Sequence, residues 1–217
     1  SSASPRSSAW SPSSRAPPDT PLSVGLRDIL TGRHEVKGPA PDRLFAISTA
    51  YVTLQSEYQI EPVGTAAIVF QALATSEFET TIREMEEVVT ATGGESGTKV
   101  ATQDDTYGYR WMVLRNPDGA PSVEDLAVGI NAVSGSIETA GHGERLLCAV
   151  FAFADAKKRR IYFIYNYKRG FWYPFVPEPG GQERSTEREL QIKAQMASEL
   201  PIEPELERWF PLWGIPI

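Results

Sequence analysis

The chain has 217 residues, 41% of them hydrophobic, with 21 Lys and Arg against 28 Asp and Glu for a net charge of −7. That length and apolar share suffice for one packed core, and the acidic balance argues against broad electrostatic capture of nucleic acid or anionic lipid. One cysteine and two histidines exclude an intrachain disulfide and a four-cysteine or paired Cys and His zinc site, which fits a reducing, cytoplasmic setting.

Fourteen of the first 23 residues are Ser or Pro. Such a stretch buries too little apolar area to offset the entropy of ordering, so residues 1–23 read as a disordered leader, and residues 24–217 as a single domain. The leader lacks the apolar core of a secretory signal, and no run approaches the roughly 20 apolar residues of a membrane span. Leu26, Ile29 and Leu30 make one amphipathic turn before Gly32, and Gly38-Pro39 breaks the chain. A helix is predicted from Pro41, with Asp42 at its positive end, an interruption near Ser48 and a resumption toward Tyr58. Val63 to Phe70 reads as a strand.

Ser76 and Glu79 form a capping-box pattern, and Phe78, Ile82, Met85 and Val89 share a stripe that Gly93-Gly94 ends. Lys99 to Gln103 and Tyr107 to Leu114 flank Asp104-Asp105 as a hairpin, with a turn at Asn116-Pro117-Asp118-Gly119. Ser122, with Asp125 three residues on, opens a helix that carries Leu126, Ile130, Val133 and Ile137 up to Gly141. Leu146 to Ala154 reads as a central strand. Its Leu147, Ala149, Phe151 and Phe153 make one face, and Cys148, Ala152 and Ala154 make another, small enough for a helix to approach closely. Ile161 to Asn166 and Phe171 to Phe175 follow, Pro174 marking the second as an edge strand, and Thr186 with Glu189 caps a last helix running to Pro201. The order α-β-α-β-β-α-β-β-β-α predicts an α+β fold, an antiparallel sheet with helices packed on it. It is similar in element order to secretion-chaperone-like and YbjN-type proteins.

Chemistry is sparse. His34 lies between Gly/Pro breaks and His142 between glycines, neither with a legible partner, and burial among Leu146, Leu147, Ala149 and Val150 would hold Cys148 as a thiol. Asp104-Asp105 reads as a solvated turn, and no hydrolase elbow, metalloprotease helix or phosphate loop occurs. No catalytic, cofactor-binding or metal-binding residue is therefore assigned, and no cofactor is expected. Lys157, Lys158, Arg159 and Arg160 make the one basic cluster, a candidate contact with an anionic membrane. Arg169 to Phe175 is similar to the aromatic strand of an RNA-recognition motif, but Trp172 and Pro174 stand where that motif needs a small residue and a valine, so no nucleic-acid partner is expected.

Eleven aromatic or β-branched residues crowd Arg159 to Pro177, around Tyr167-Lys168-Arg169-Gly170. A second cluster, Glu207-Arg208-Trp209-Phe210-Pro211-Leu212-Trp213-Gly214, is broken by prolines and reads as an irregular strap over 207–217, docked across the helical layer. Tyr162, Tyr165, Trp172, Trp209, Phe210 and Trp213 are the candidate interaction surface. With Gly25 to Arg33, Asp42-Arg43-Leu44-Phe45-Ala46 and Asp105-Thr106-Tyr107-Gly108-Tyr109-Arg110-Trp111, these segments resemble the PspA-associated protein family PspAB over nearly everything after Val24, which then reads as an alternative start. The resemblance implies an accessory part in an envelope-stress system built on the membrane-scaffolding PspA proteins, with a PspA-like coiled coil as partner and the membrane metalloprotease HtpX as neighbour. The expectation is a non-enzymatic adaptor, cytoplasmic or peripheral to the inner face of the cell membrane. Two alternatives stand beside it: a chaperone-like module that binds an extended segment, and an enzyme whose cleft gathers Asp104, Asp105 or His142.

Overall fold

The computed structural model describes residues 41–92 and 97–217. The expected leader, the turn at Leu26 to Leu30, His34 and the Gly93-Gly94 stop lie outside the described residues. The first helical segment is split into α1 (Pro41–Phe45) and α2 (Ile47–Tyr58), with the break at Ala46. Its interruption thus falls two residues ahead of Ser48. β1 (Glu61–Gln71) starts earlier than its β-branched run, because a bulge between Pro62 and Thr65 at Gly64, φ 76°, carries Glu61 and Pro62 into the sheet.

α3 (Ser76–Thr92) is entered one residue before its capping-box pattern. The Phe78 N–H donates to Thr75 Oγ1 at 3.3 Å, while the Glu79 carboxylate turns away to Arg110. β2 (Lys99–Asp104) and β3 (Tyr109–Arg115) form the expected hairpin. α4 (Val123–Thr139) is capped by Ser122, whose Oγ accepts the Asp125 N–H at 3.1 Å. It ends in the paired bonds His142 N–H to Ile137 O and Gly141 N–H to Glu138 O, with Gly141 at φ 81°.

β4 (Leu146–Ala154), β5 (Arg160–Asn166) and β6 (Phe171–Phe175) complete the meander. α5 (Thr186–Met196) stops short of Pro201, and its Glu189 reaches inward to Val176 and Arg184 instead of closing a capping box. The fold is α+β. The pairings between these six strands are all antiparallel, in the order β2-β3-β1-β4-β5-β6, with β4 central and β6 at an edge.

Both faces of the sheet are covered. On one, α1 to α4 pack Leu44, Ile47, Phe78 and Ile130 against Phe70, Phe151, Phe153 and Phe163. On the other, Val69, Val113, Val150 and Ile164 meet Trp209 and residues beyond it. The faces of β4 are therefore the reverse of the sequence expectation: the helices lie over Ala149, Phe151 and Phe153, and the small side Cys148 and Ala152 lies under the C-terminal strap. Leu147 also changes face, because the register slips between Val69 and Phe70. The helix supplies its own close approach: a Cβ on Gly129 of α4 would sit 2.4 Å from Leu114 Cδ2 of β3.

Candidate functional site: an aromatic groove on the helix-free face

Proline bars the C-terminal segment from a regular ladder, so its carbonyl groups need other donors. The sheet provides them from side chains. Tyr173 Oη donates to Phe210 O at 3.0 Å, Tyr162 Oη to Ile217 O at 3.0 Å, Arg115 Nη2 to Pro216 O at 3.1 Å and Arg184 Nη1 to Trp209 O at 2.6 Å. Trp209 stacks on Tyr173 at 6.2 Å and donates its indole N–H to Glu203 O, and Trp213 meets Phe175 edge-on at 5.2 Å. The strap thus crosses the face opposite the helices, where the sequence reading put it on the helical layer. On the helical side there is no room, since α2 and α4 already bury Leu54, Ile130 and Val133 there.

This path covers the end of the face near Phe175 and Arg115 and leaves the other end open. The start of β3, the end of β1, the start of β4 and the end of β5 come together there, as the pairings Gln71 with Tyr109, Phe70 with Leu146 and Cys148 with Asn166 show. The result is a groove of about 540 Å³, within the range of ligand pockets. Its floor is Val69, Leu147 and Cys148; Tyr109, Trp111 and Tyr173 line it, Phe210, Leu212 and Trp213 of the strap form the opposite bank, and Lys168 stands at the rim. Three rings of the lining are presented to solvent: Tyr107 is 69% exposed, Phe210 56% and Tyr109 38%.

The wall is set by one carboxylate. Asp105 Oδ1 accepts the N–H groups of Tyr107 at 2.8 Å and Tyr109 at 2.9 Å, and Oδ2 accepts the Trp111 indole N–H at 3.0 Å. Burial opposes its charge, yet these bonds win and hold the Asp105 carboxyl below its usual range. Gly108, at φ 84°, lets the turn close. Asp155 builds the β4–β5 turn in the same way, with Oδ1 on the N–H groups of Lys157 and Arg159, Oδ2 on the Arg159 guanidinium, and Lys158 at φ 63°. Arg159 is thereby tied down, while the Lys157, Lys158 and Arg160 side chains stand exposed without an ion pair among the described residues.

The six aromatic candidates divide sharply. Tyr165 and Trp172 are fully buried on the helical side, and Tyr162 and Trp209 are buried under or within the strap, so these four present no surface. Phe210 and Trp213 remain at the groove, joined by Tyr107 and Tyr109, which the sequence reading had only as strand residues. The candidate acids and histidine are not brought together. Asp104 is bound by Arg110 beside α3, and that hydrogen bond lowers its pKa; Asp105 lies under Trp111 on the other face; His142 packs edge-on to Phe78 at 5.1 Å. Burial pushes the Cys148 thiol up to about 12, which leaves it protonated at the groove floor.

The family model for PspA associated protein B matches residues 24–217, most of the chain. The chain belongs to that family. No curated protein and no solved structure matches it. The family's name associates it with PspA. No helix among the described residues is long and apolar enough to cross a membrane.

Proposed function

We propose that this PspA-associated protein is an adaptor of a membrane-stress response, cytoplasmic or peripheral to the inner face of the membrane, and that the aromatic groove holds an amphipathic helical segment of a PspA-type coiled coil. The observation that carries this reading is the open end of the helix-free face, where Tyr107 and Phe210 flank an apolar floor beside Lys168. Such a groove takes apolar side chains from one face of a helix, and an acidic residue on the helix flank complements the Lys168 ammonium. A membrane metalloprotease of the HtpX type belongs to the same proposal as a neighbour.

The double change Tyr107→Ser and Phe210→Ser removes two rings that are more than half exposed, so it leaves the melting temperature within a few degrees. It should weaken capture of a purified PspA-type coiled coil at least tenfold, by titration calorimetry, since interface aromatics carry about 2 kcal/mol or more each. Unchanged affinity would overturn the groove as the contact.

The exposed cations of the β4–β5 turn support a second, weaker contact with anionic lipid. Each cation at such a surface is worth about 1 kcal/mol, so liposome co-sedimentation should fall with added salt and with the Lys157→Glu, Lys158→Glu pair. Sedimentation indifferent to both would remove the electrostatic route.

A further inference from the structure

The two edges of the sheet are treated differently. The β6 edge is closed by the chain itself: the Trp172 N–H donates to Pro201 O at 2.9 Å, and the Glu203 N–H to Trp172 O at 2.8 Å. β2, at the other edge, has only β3 as a neighbour among the described residues. Its free groups can be identified. The Asp105 N–H donates to Tyr109 O at 2.8 Å, and the register runs unbroken from there to Lys99 opposite Arg115. Residues 99, 101, 103 and 105 therefore spend their backbone groups on β3, and the N–H and C=O of Val100, Thr102 and Asp104 point off the sheet. No bulge or proline interrupts this edge, the usual guards against pairing.

The side chains along it are equally unfinished. The Thr102 hydroxyl is shielded from solvent and has no hydrogen-bond partner. The residue itself lines a groove of about 330 Å³ between β2 and α3, whose helical wall carries Glu79, Arg83 and Glu86. Glu79 is bound to Arg110, whereas Arg83 and Glu86 form no ion pair among the described residues.

We infer that β2 pairs with β2 of a second copy of this chain, antiparallel about a twofold axis through Thr102, to join two six-stranded sheets into one. A perpendicular twofold requires a residue to face itself across the axis, and of the outward-pointing residues Thr102 gives the longest overlap. That register sets the two Thr102 residues side by side as a β-branched pair across the axis. It also sets Lys99 of each copy opposite Asp105 of the other, Ala101 opposite Gln103, and Val100 opposite Asp104, whose charge Arg110 already offsets. The alternative register centred on Asp104 would put two carboxylates face to face. Arg83 and Glu86, an unpaired base and acid on the adjoining helix, are self-complementary across the same axis.

The parity of the strand supplies a clean test on the full chain. Thr102→Pro removes an N–H that points off the sheet and none that bonds β3, so the monomer keeps its ladder while the edge loses its central donor. Light scattering coupled to size exclusion should give a dimer mass for the wild type and half that mass for Thr102→Pro, with the same far-ultraviolet dichroism. Independently of whether that variant folds, Ala101→Cys with Gln103→Cys places two thiols at facing non-hydrogen-bonded positions, and mild oxidation should yield a covalent dimer. A wild type that stays monomeric at high concentration, a Thr102→Pro protein that still dimerises, or failure of the cysteine pair to cross-link would each overturn the pairing. If the wild type is monomeric and Thr102→Pro instead loses a PspA-type partner, the edge takes an extended segment of that partner and the self-pairing is wrong.

Discussion

Truncation after Leu206 should cost on the order of 3 kcal/mol or more of stability, or drive the protein to aggregate. Trp209 is 95% buried against Tyr173, and the strap behind it covers Ile164 and Phe175, neither of which reaches solvent in the intact chain. Each large ring buries about 150–250 Å², worth about 25 cal/mol per Å², so the loss outweighs the entropy the freed segment regains. Four side-chain donors would also lose their carbonyl acceptors at once: Tyr162, Tyr173, Arg115 and Arg184. Arg184 matters most. It is shared with the buried Glu189 at 2.7 Å, so loss of the Trp209 carbonyl loosens the pair that anchors α5 under Val176. Urea unfolding of the truncated chain should show a lower midpoint and exposed apolar surface by dye binding. A midpoint equal to that of the full chain, with partner capture lost, would show that the strap serves an interface and contributes nothing to its own domain.

The groove follows from the same strap. A regular seventh strand or a helix would have covered the face evenly, but a segment broken at Pro211 and Pro216 can only cross it obliquely, held by side-chain donors at separate points. One end of an apolar sheet is left under Phe210 and Trp213 in place of water. The cluster at Glu207 to Gly214 was visible in the sequence for this reason: prolines among large rings forbid periodic packing and force individual docking. What it packs on was not visible.

The helices and strands were legible where one face is polar. Phe78, Ile82, Met85 and Val89 recur at helical spacing because the far side of α3 is solvated, and the residues between them are mostly exposed. β4 gives no such contrast. Leu146 to Ala154 is apolar throughout because helices cover one face and the strap the other, and a run without alternation does not tell which side is which. The inversion of its two faces comes from there. The Ser76 and Thr186 capping boxes misled for a different reason. Glu79 and Glu189 have partners of their own, Arg110 and Arg184, and a charge-assisted bond to a guanidinium outcompetes a helix-end N–H for a carboxylate. The groove is not legible in the sequence because Tyr107, Tyr109, Trp111 and Phe210 are about a hundred residues apart in the chain at the extremes, and only the shared end of the sheet collects them.

Trp172→Ala should be nearly as damaging as the truncation, by about 3–5 kcal/mol, although the sequence reading placed this ring on an interaction surface. The ring has no solvent exposure, lies between Tyr165 at 5.2 Å and Phe151 at 5.6 Å, and donates its indole N–H to Arg43 O at 2.7 Å. That bond crosses from β6 to α1, and Arg43 Nη1 donates to Gly170 O at 3.2 Å, so Arg43 ties α1 to the β5–β6 hairpin at two points. Trp172→Phe separates the two contributions. It keeps most of the ring contact and deletes the N–H, leaving the Arg43 carbonyl unpaired, and should cost about 1–3 kcal/mol. Thermal unfolding of the two variants, read beside partner affinity, decides the role of the residue. A core ring lowers the melting temperature in the order Ala below Phe below wild type, with affinity unchanged in the folded fraction. A surface anchor would do the opposite, leaving both melting temperatures at the wild-type value while binding falls.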